Sequence, residues 1–124
     1  MAEIFVFGSN LDGIHKKGAA LCAFKEYGAI MGQGVGLQGN AYAIPTKSTP
    51  WKSLSLFIIN AHVSIFMIHA LENSINSYIV TPIGCGLAGY EACNIAPMFR
   101  LATNLPNVRL PKEFLPYLDN EDWF

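Results

Sequence analysis

Charge is scarce in this chain of 124 residues: Asp, Glu, Lys and Arg make up 14% of it, where roughly 25% is usual for a soluble domain. With 52% hydrophobic residues, so little charge implies that much of the surface is covered, and another copy of the chain is the expected cover. The net charge is −1, which excludes a nucleic-acid groove or a basic membrane-binding face built on charge excess. Cysteine is also sparse. Cys22, Cys85 and Cys93 are odd in number and lack metal-ligand spacing, so reduced thiols in a cytosolic protein are expected and no metal is. No leader is expected, because Met1-Ala2-Glu3 runs straight into a strand-like segment. Long apolar runs are missing as well. The most hydrophobic stretch, Ser53 to Leu71, is interrupted by Asn60, His62 and His69, which argues against a membrane span.

What is present is a regular alternation. "EIFVFGSN" predicts a strand over Ile4 to Phe7, stopped by Gly8 and Ser9-Asn10. "KGAALCAFKEYG" predicts a helix ended by Gly28. After four glycines between Gly32 and Gly39, a strand resumes at Tyr42-Ala43-Ile44. "STPWKS" is expected to start the long helix, with Pro50 near its first turn and Thr49 or Ser53 as cap. "SYIVTPIG" is a third strand, "YEACNIAPMFRLAT" a helix restarted at Pro97, "NVRLP" a short last strand, and residues 112–124 a C-terminal tail. The order β-α-β-α-β-α-β predicts one α/β domain over residues 1–124: three layers, a mostly parallel sheet with helices on both faces.

In such sheets ligands sit beyond the carboxyl ends of the strands, beside helix N-termini. Glycine loops fall at two of those ends, "GSNLDGIHKKGAA" from Gly8 to Ala20 and "GCGLAG" from Gly84 to Gly89. Either loop alone is a weak signal, since tight strand-to-helix turns recruit glycine. Together they predict main-chain N–H groups arranged around an anion such as phosphate.

Both loops resemble those of macro domains, the modules that bind ADP-ribose. Phe7-Gly8-Ser9-Asn10 followed by Lys17-Gly18-Ala19-Ala20 is similar to the family's strand, asparagine and Gly-Val-Ala helix start. Pro82-Ile83-Gly84-Cys85-Gly86-Leu87-Ala88-Gly89-Tyr90 resembles its second signature, and the Gly-Cys-Gly form looks most like the branch that removes ADP-ribose from nucleic acid or acidic side chains. The resemblance covers roughly residues 4 to 100, more by the order of elements than by identity. It implies a short bacterial or phage-type protein working in the cytoplasm, the host's if phage-encoded. Its partner would be an ADP-ribose-like nucleotide, with nucleic acid only as an ADP-ribosylated substrate and no separate cofactor.

By that resemblance Gly8, Ser9, Gly18, Ala19 and Ala20 on one side, and Gly84, Cys85, Gly86, Leu87, Ala88 and Gly89 on the other, hold the diphosphate. Asn10 lies near the distal ribose or orients a water; a turn-forming Asn with local bonds is the competing reading. Tyr90 flanks the ribose or is a core aromatic. Two departures stand out. The aspartate that holds the adenine amino group in macro domains has no counterpart, leaving Asp12 or the tail as substitutes. The first loop carries His15-Lys16-Lys17 where the family has glycines. One of these three, with Asn10, would be the catalytic group of an ADP-ribosyl hydrolase; exposed lysines at a helix start are the plain alternative, although cations there oppose the macrodipole. Cys85 is a small loop residue before it is a nucleophile, because no base accompanies it. His62 and His69 share a helix face and are expected in a core or interface rather than on a metal. Both broad faces of that helix are apolar, Leu54, Ile58 and Ile65 on one and Leu56, Ile59 and Phe66 on the other; one would cover the sheet and the second predicts another helix against it or a homo-oligomer. Trp123 and Phe124 would cover the cleft or a neighbouring chain. Non-enzymatic capture of a nucleotide immune signal is the alternative to hydrolysis.

Overall fold

The computed structural model describes residues 1–118; the expectations for Trp123 and Phe124 lie outside them. A six-stranded sheet forms from β1 (Glu3–Asn10), β2 (Gly36–Gln38), β3 (Ala41–Thr49), β4 (Lys52–Ser53), β5 (Ser77–Val80) and β6 (Val108–Arg109). Its order is β2-β3-β1-β5-β6, with β4 hydrogen-bonded to β3. The central pairs β3·β1, β1·β5 and β5·β6 are parallel, whereas β2 and β4 run antiparallel to β3. The protein is therefore a mixed α/β domain with a mostly parallel sheet.

Alternation along β1 and β3 divides the interior. Ile4, Val6, Tyr42 and Ile44 join one cluster with Ile59, Val63, Phe66 and Ala70 of helix α2 (Leu56–Glu72). Phe7, Ala41 and Ala43 join another with Ala20 and Ala23 of helix α1 (Gly18–Glu26). The first cluster is aromatic: Phe66 meets Tyr42, Tyr78 and Phe99 at 5.1, 5.6 and 6.3 Å between ring centroids, geometry that favours edge-to-face contact. The second is built of alanine, so α1 can approach β1 closely.

Several expectations are corrected. β1 does not stop at Gly8; it continues to Asn10 by pairing with β3, with a register shift between Ser9 and Asn10. The segment from Thr49 to Ser53 does not begin the long helix. It turns back on β3 as a hairpin, and α2 starts at Leu56 behind Ser55, whose Oγ accepts from the Ile58 N–H at 3.3 Å. Pro50 sits in that hairpin turn, where a fixed φ suits a reversal as well as a helix start. The helix after the second glycine loop is one α-helical turn, α3 (Ala92–Ile95), continued as a 3-10 helix over Ala96–Asn104 with Pro97 in its first turn. Residues Lys112–Tyr117 form a further 3-10 helix whose Phe114 is fully buried against Phe99, centroids 5.7 Å apart.

On α2, Ile59 and Phe66 are buried while Phe57, Ile58, Ile65, Ile68 and Leu71 are exposed, so the helix has one covered and one open apolar side. His69 lies among aromatic rings, 5.0 Å from Tyr42 and 5.7 Å from Tyr78. Among the described residues no group of three or more His, Cys, Asp or Glu is placed to hold a metal, and no helix is long and apolar enough to cross a membrane.

Candidate functional site

The carboxyl ends of the parallel strands β1 and β3, together with the loop that follows β5, open onto one cavity of about 770 Å³. Its lining includes Gly8, Ser9, Asn10, Lys16, Lys17, Gly18, Ala19 and Ala20 from the first loop, and Gly84, Gly86, Leu87 and Ala88 from the second. The two loops approach each other here. A methyl group placed on Gly8 would lie 3.6 Å from the Gly84 nitrogen, and one on Gly18 would lie 3.9 Å from Leu87 Cδ1.

Residues with unbonded main-chain donors line this space on both sides. Helix α1 begins with no side-chain cap and no acidic residue in its first turn. Its first hydrogen bond is from Leu21 N–H to the Lys17 carbonyl, 3.2 Å, which leaves the N–H groups of Gly18, Ala19 and Ala20 without an intrahelical acceptor. Gly18 has φ +58°, a value side chains resist, so the chain turns sharply into the helix at that point. On the opposite side Gly84 has φ +78°. The second loop is closed by Cys85 N–H to Pro82 O at 3.2 Å, Gly89 N–H to Gly86 O at 3.0 Å and Tyr90 N–H to Gly84 O at 2.9 Å. Between those bonds, the N–H groups of Gly86, Leu87 and Ala88 have no hydrogen-bond acceptor among the described residues.

Lys16, Lys17 and Lys47 line the cavity, and among the described residues no Asp, Glu or His does. Among the described residues none of these lysines has an ion-pair partner. Lysines without an ion-pair partner and uncapped helix N–H groups, with no carboxylate beside them among the described residues, give the lining an electrostatic character that favours negative charge.

Asn10 lines the cavity, but its side chain is engaged. Its Oδ1 accepts from Ile14 N–H and its Nδ2 donates to the Ile14 carbonyl, both at 3.0 Å, closing the loop on itself. His15 is turned away: it is fully buried, its Nε2 lies 2.9 Å from the Gln33 carbonyl oxygen, and its ring meets Phe7 edge-on at 5.2 Å. His15 is thus an anchor beneath the loop, and its lysine neighbours alone reach the cavity. Cys85, Gly89 and Tyr90 do not line the cavity either. Burial raises the Cys85 thiol pKa, with Glu113 and Cys93 adding to the effect, so the thiol form dominates at neutral pH. Tyr90 packs against the core and donates its hydroxyl to the Leu54 carbonyl at 2.6 Å. Asp12 is exposed and outside the lining.

The sequence reading missed one wall. Thr46, Lys47, Pro50 and Trp51 line the cavity from β3 and the hairpin that follows it. Lys47 is in register with Asn10 across the β1·β3 pair, just past the register shift between Ser9 and Asn10. The available signal is "TKSTPWK", an isolated indole between proline and lysine in a segment that also suits a helix start. Neither a protein family, nor a curated protein, nor a solved structure matches this chain.

Proposed function

We propose that this chain binds a nucleotide diphosphate of the ADP-ribose type in the cavity between its two glycine loops. The observation that carries the reading is that, among the described residues, three unpaired lysines and two sets of residues with unbonded main-chain N–H groups line one space without a carboxylate. Donors of that kind suit an oxyanion-rich group, and the cavity volume falls within the roughly 300–1,000 Å³ usual for small-molecule sites. The macro-like resemblance of the loops agrees with this chemistry. In this reading the fold is a minimal three-layer macro-like domain, with α1 and α2 on opposite faces of the sheet.

Capture is favoured over hydrolysis by one observation: His15 is buried elsewhere and the Asn10 amide is bonded to Ile14. That leaves Lys16, Lys17 and Lys47 as the titratable side chains of the lining, suited to holding phosphate. An ADP-ribosyl hydrolase using Lys16 or Lys17 is the second reading, and linked substrates distinguish the two. We assign the protein to a bacterial cytoplasm, the host's if it is phage-encoded, where its three free thiols would stay reduced. The open side of α2 is proposed as the contact with another copy; Ile68→Glu should lower the mass seen by light scattering.

Calorimetric titration with ADP-ribose, followed by mass spectrometry of the recovered ligand, tests the main reading. Saturable binding with intact ADP-ribose recovered is expected. Neither heat nor a thermal shift with ADP-ribose or pyrophosphate would overturn it.

A further inference from the structure

The β3–β4 hairpin has features that the phosphate chemistry does not use. Trp51 stands at its tip, 87% exposed, and still lines the cavity. Its backbone is held in place: Trp51 N–H donates to Thr49 Oγ1 at 3.2 Å, and Ser48 Oγ donates to the Lys52 carbonyl at 3.3 Å across the turn. Ser53 Oγ then donates to the Ala88 carbonyl at 2.6 Å, fastening the hairpin to the second glycine loop. An indole presented by a pinned turn beside a cationic cavity offers a flat apolar face to a ligand.

The polar side chains of the lining point to how such a ligand is read. Its uncharged polar members are Ser9, Asn10, Thr46 and Thr81. Each donates inward to main chain: Ser9 to Gly34 O, Asn10 to Ile14 O, Thr46 to Ser9 O and Thr81 to Val6 O. Among the described residues no carboxylate accompanies them. The described lining therefore offers no uncommitted side-chain amide or carboxylate to read the hydrogen-bonding edge of a base.

We propose that Trp51 is the platform on which the nucleobase of the ligand stacks, so that the base is recognised by its face and not by its edge. This inference rests on the nucleotide reading above and narrows it to base-tolerant recognition of nucleoside diphosphates. Lys47, on the strand that leads into the hairpin, contacts the phosphate nearest the base. Stacking tolerates every base because each has a π-face.

The test compares pyrophosphate, ADP and UDP by calorimetry on the wild-type chain, Trp51→Ala and Trp51→Phe. ADP and UDP are expected to bind the wild type within about tenfold of each other. Trp51→Ala should weaken both by about 5- to 150-fold, the range of a lost base–aromatic stack. Pyrophosphate should bind all three proteins equally, and Trp51→Phe should keep most of the affinity for ADP. Trp51 is exposed, so a matching melting temperature is expected for each variant. Equal ADP affinity in the wild type and Trp51→Ala overturns the stacking, as does a preference for ADP over UDP greater than about 100-fold, which would mark edge recognition. If pyrophosphate binds and ADP binds no tighter, the base is unheld and this inference alone fails. If neither binds, the nucleotide reading fails and takes the inference with it.

Discussion

The two loops that wall the cavity solve the same problem by different means. The first, from Asn10 to Gly18, is ordered by its side chains: Asn10 clamps Ile14 with two hydrogen bonds, and His15 is wedged between Phe7 and the Gln33 carbonyl. The second, from Gly84 to Tyr90, has no charged residue before Glu91 and is closed by main-chain bonds at its ends. One loop brings charge on a braced frame. The other brings bare N–H groups where nothing obstructs them. In the proposed reading, attraction is supplied by lysines and fit by peptide dipoles.

The sharpest way to break this comparison is to put a side chain into the bare loop. Gly86 has an ordinary φ, and a methyl group there would meet nothing within 4 Å, so Gly86→Glu should fold normally. Two like charges about 4 Å apart at an effective dielectric constant of about 20 repel by about 4 kcal/mol. ADP-ribose affinity should therefore fall by ~100-fold or more with the melting temperature unchanged. Retained affinity in the folded variant would remove the second loop from the site.

Asn10→Ala probes the braced loop instead. Losing both bonds to the Ile14 backbone leaves buried groups unsatisfied and should cost about 1–3 kcal/mol of stability in urea denaturation. A fall in affinity without any loss of stability would show that Asn10 touches the ligand. Lys16→Ala and Lys17→Ala should each weaken binding by only ~3- to 10-fold, because both side chains are exposed, and the difference should shrink as salt is raised. Equal salt dependence in the variants and the wild type would take the lysines out of contact. The smallest effect is expected at Cys85. Its raised thiol pKa predicts slower alkylation than at Cys22 at pH 7, with the rate climbing as pH rises past the usual thiol range. Cys85→Ser should bind as the wild type does.

The sequence carried the parallel core and the two loops because these follow from local rules. Apolar runs mark the strands, though β1 runs on through Gly8 to Asn10, and Gly28 ended α1 as expected, with φ +79°. The hairpin was missed because Pro50, Trp51 and Lys52 suit a helix start as well as a reversal. What decides the matter is the pairing of Lys47 with Ser53 and Thr49 with Lys52, a tertiary outcome that propensity does not encode. The same limit explains Asn10 and His15. Their residue types advertise chemistry, but partners at Ile14, Phe7 and Gln33 set where their polar atoms go. Trp51 was visible as a residue and not as a wall, since only the hairpin carries it to the cavity.

The bond from Ser53 to Ala88 has a dynamic consequence. Together with the Tyr90 hydroxyl on the Leu54 carbonyl, it fastens the hairpin to the second loop at two neighbouring points, each 2.6 Å long. Displacing either one alone breaks those bonds. In the proposed reading, Ser53→Ala should therefore raise the ligand's off-rate without removing any group that lines the cavity.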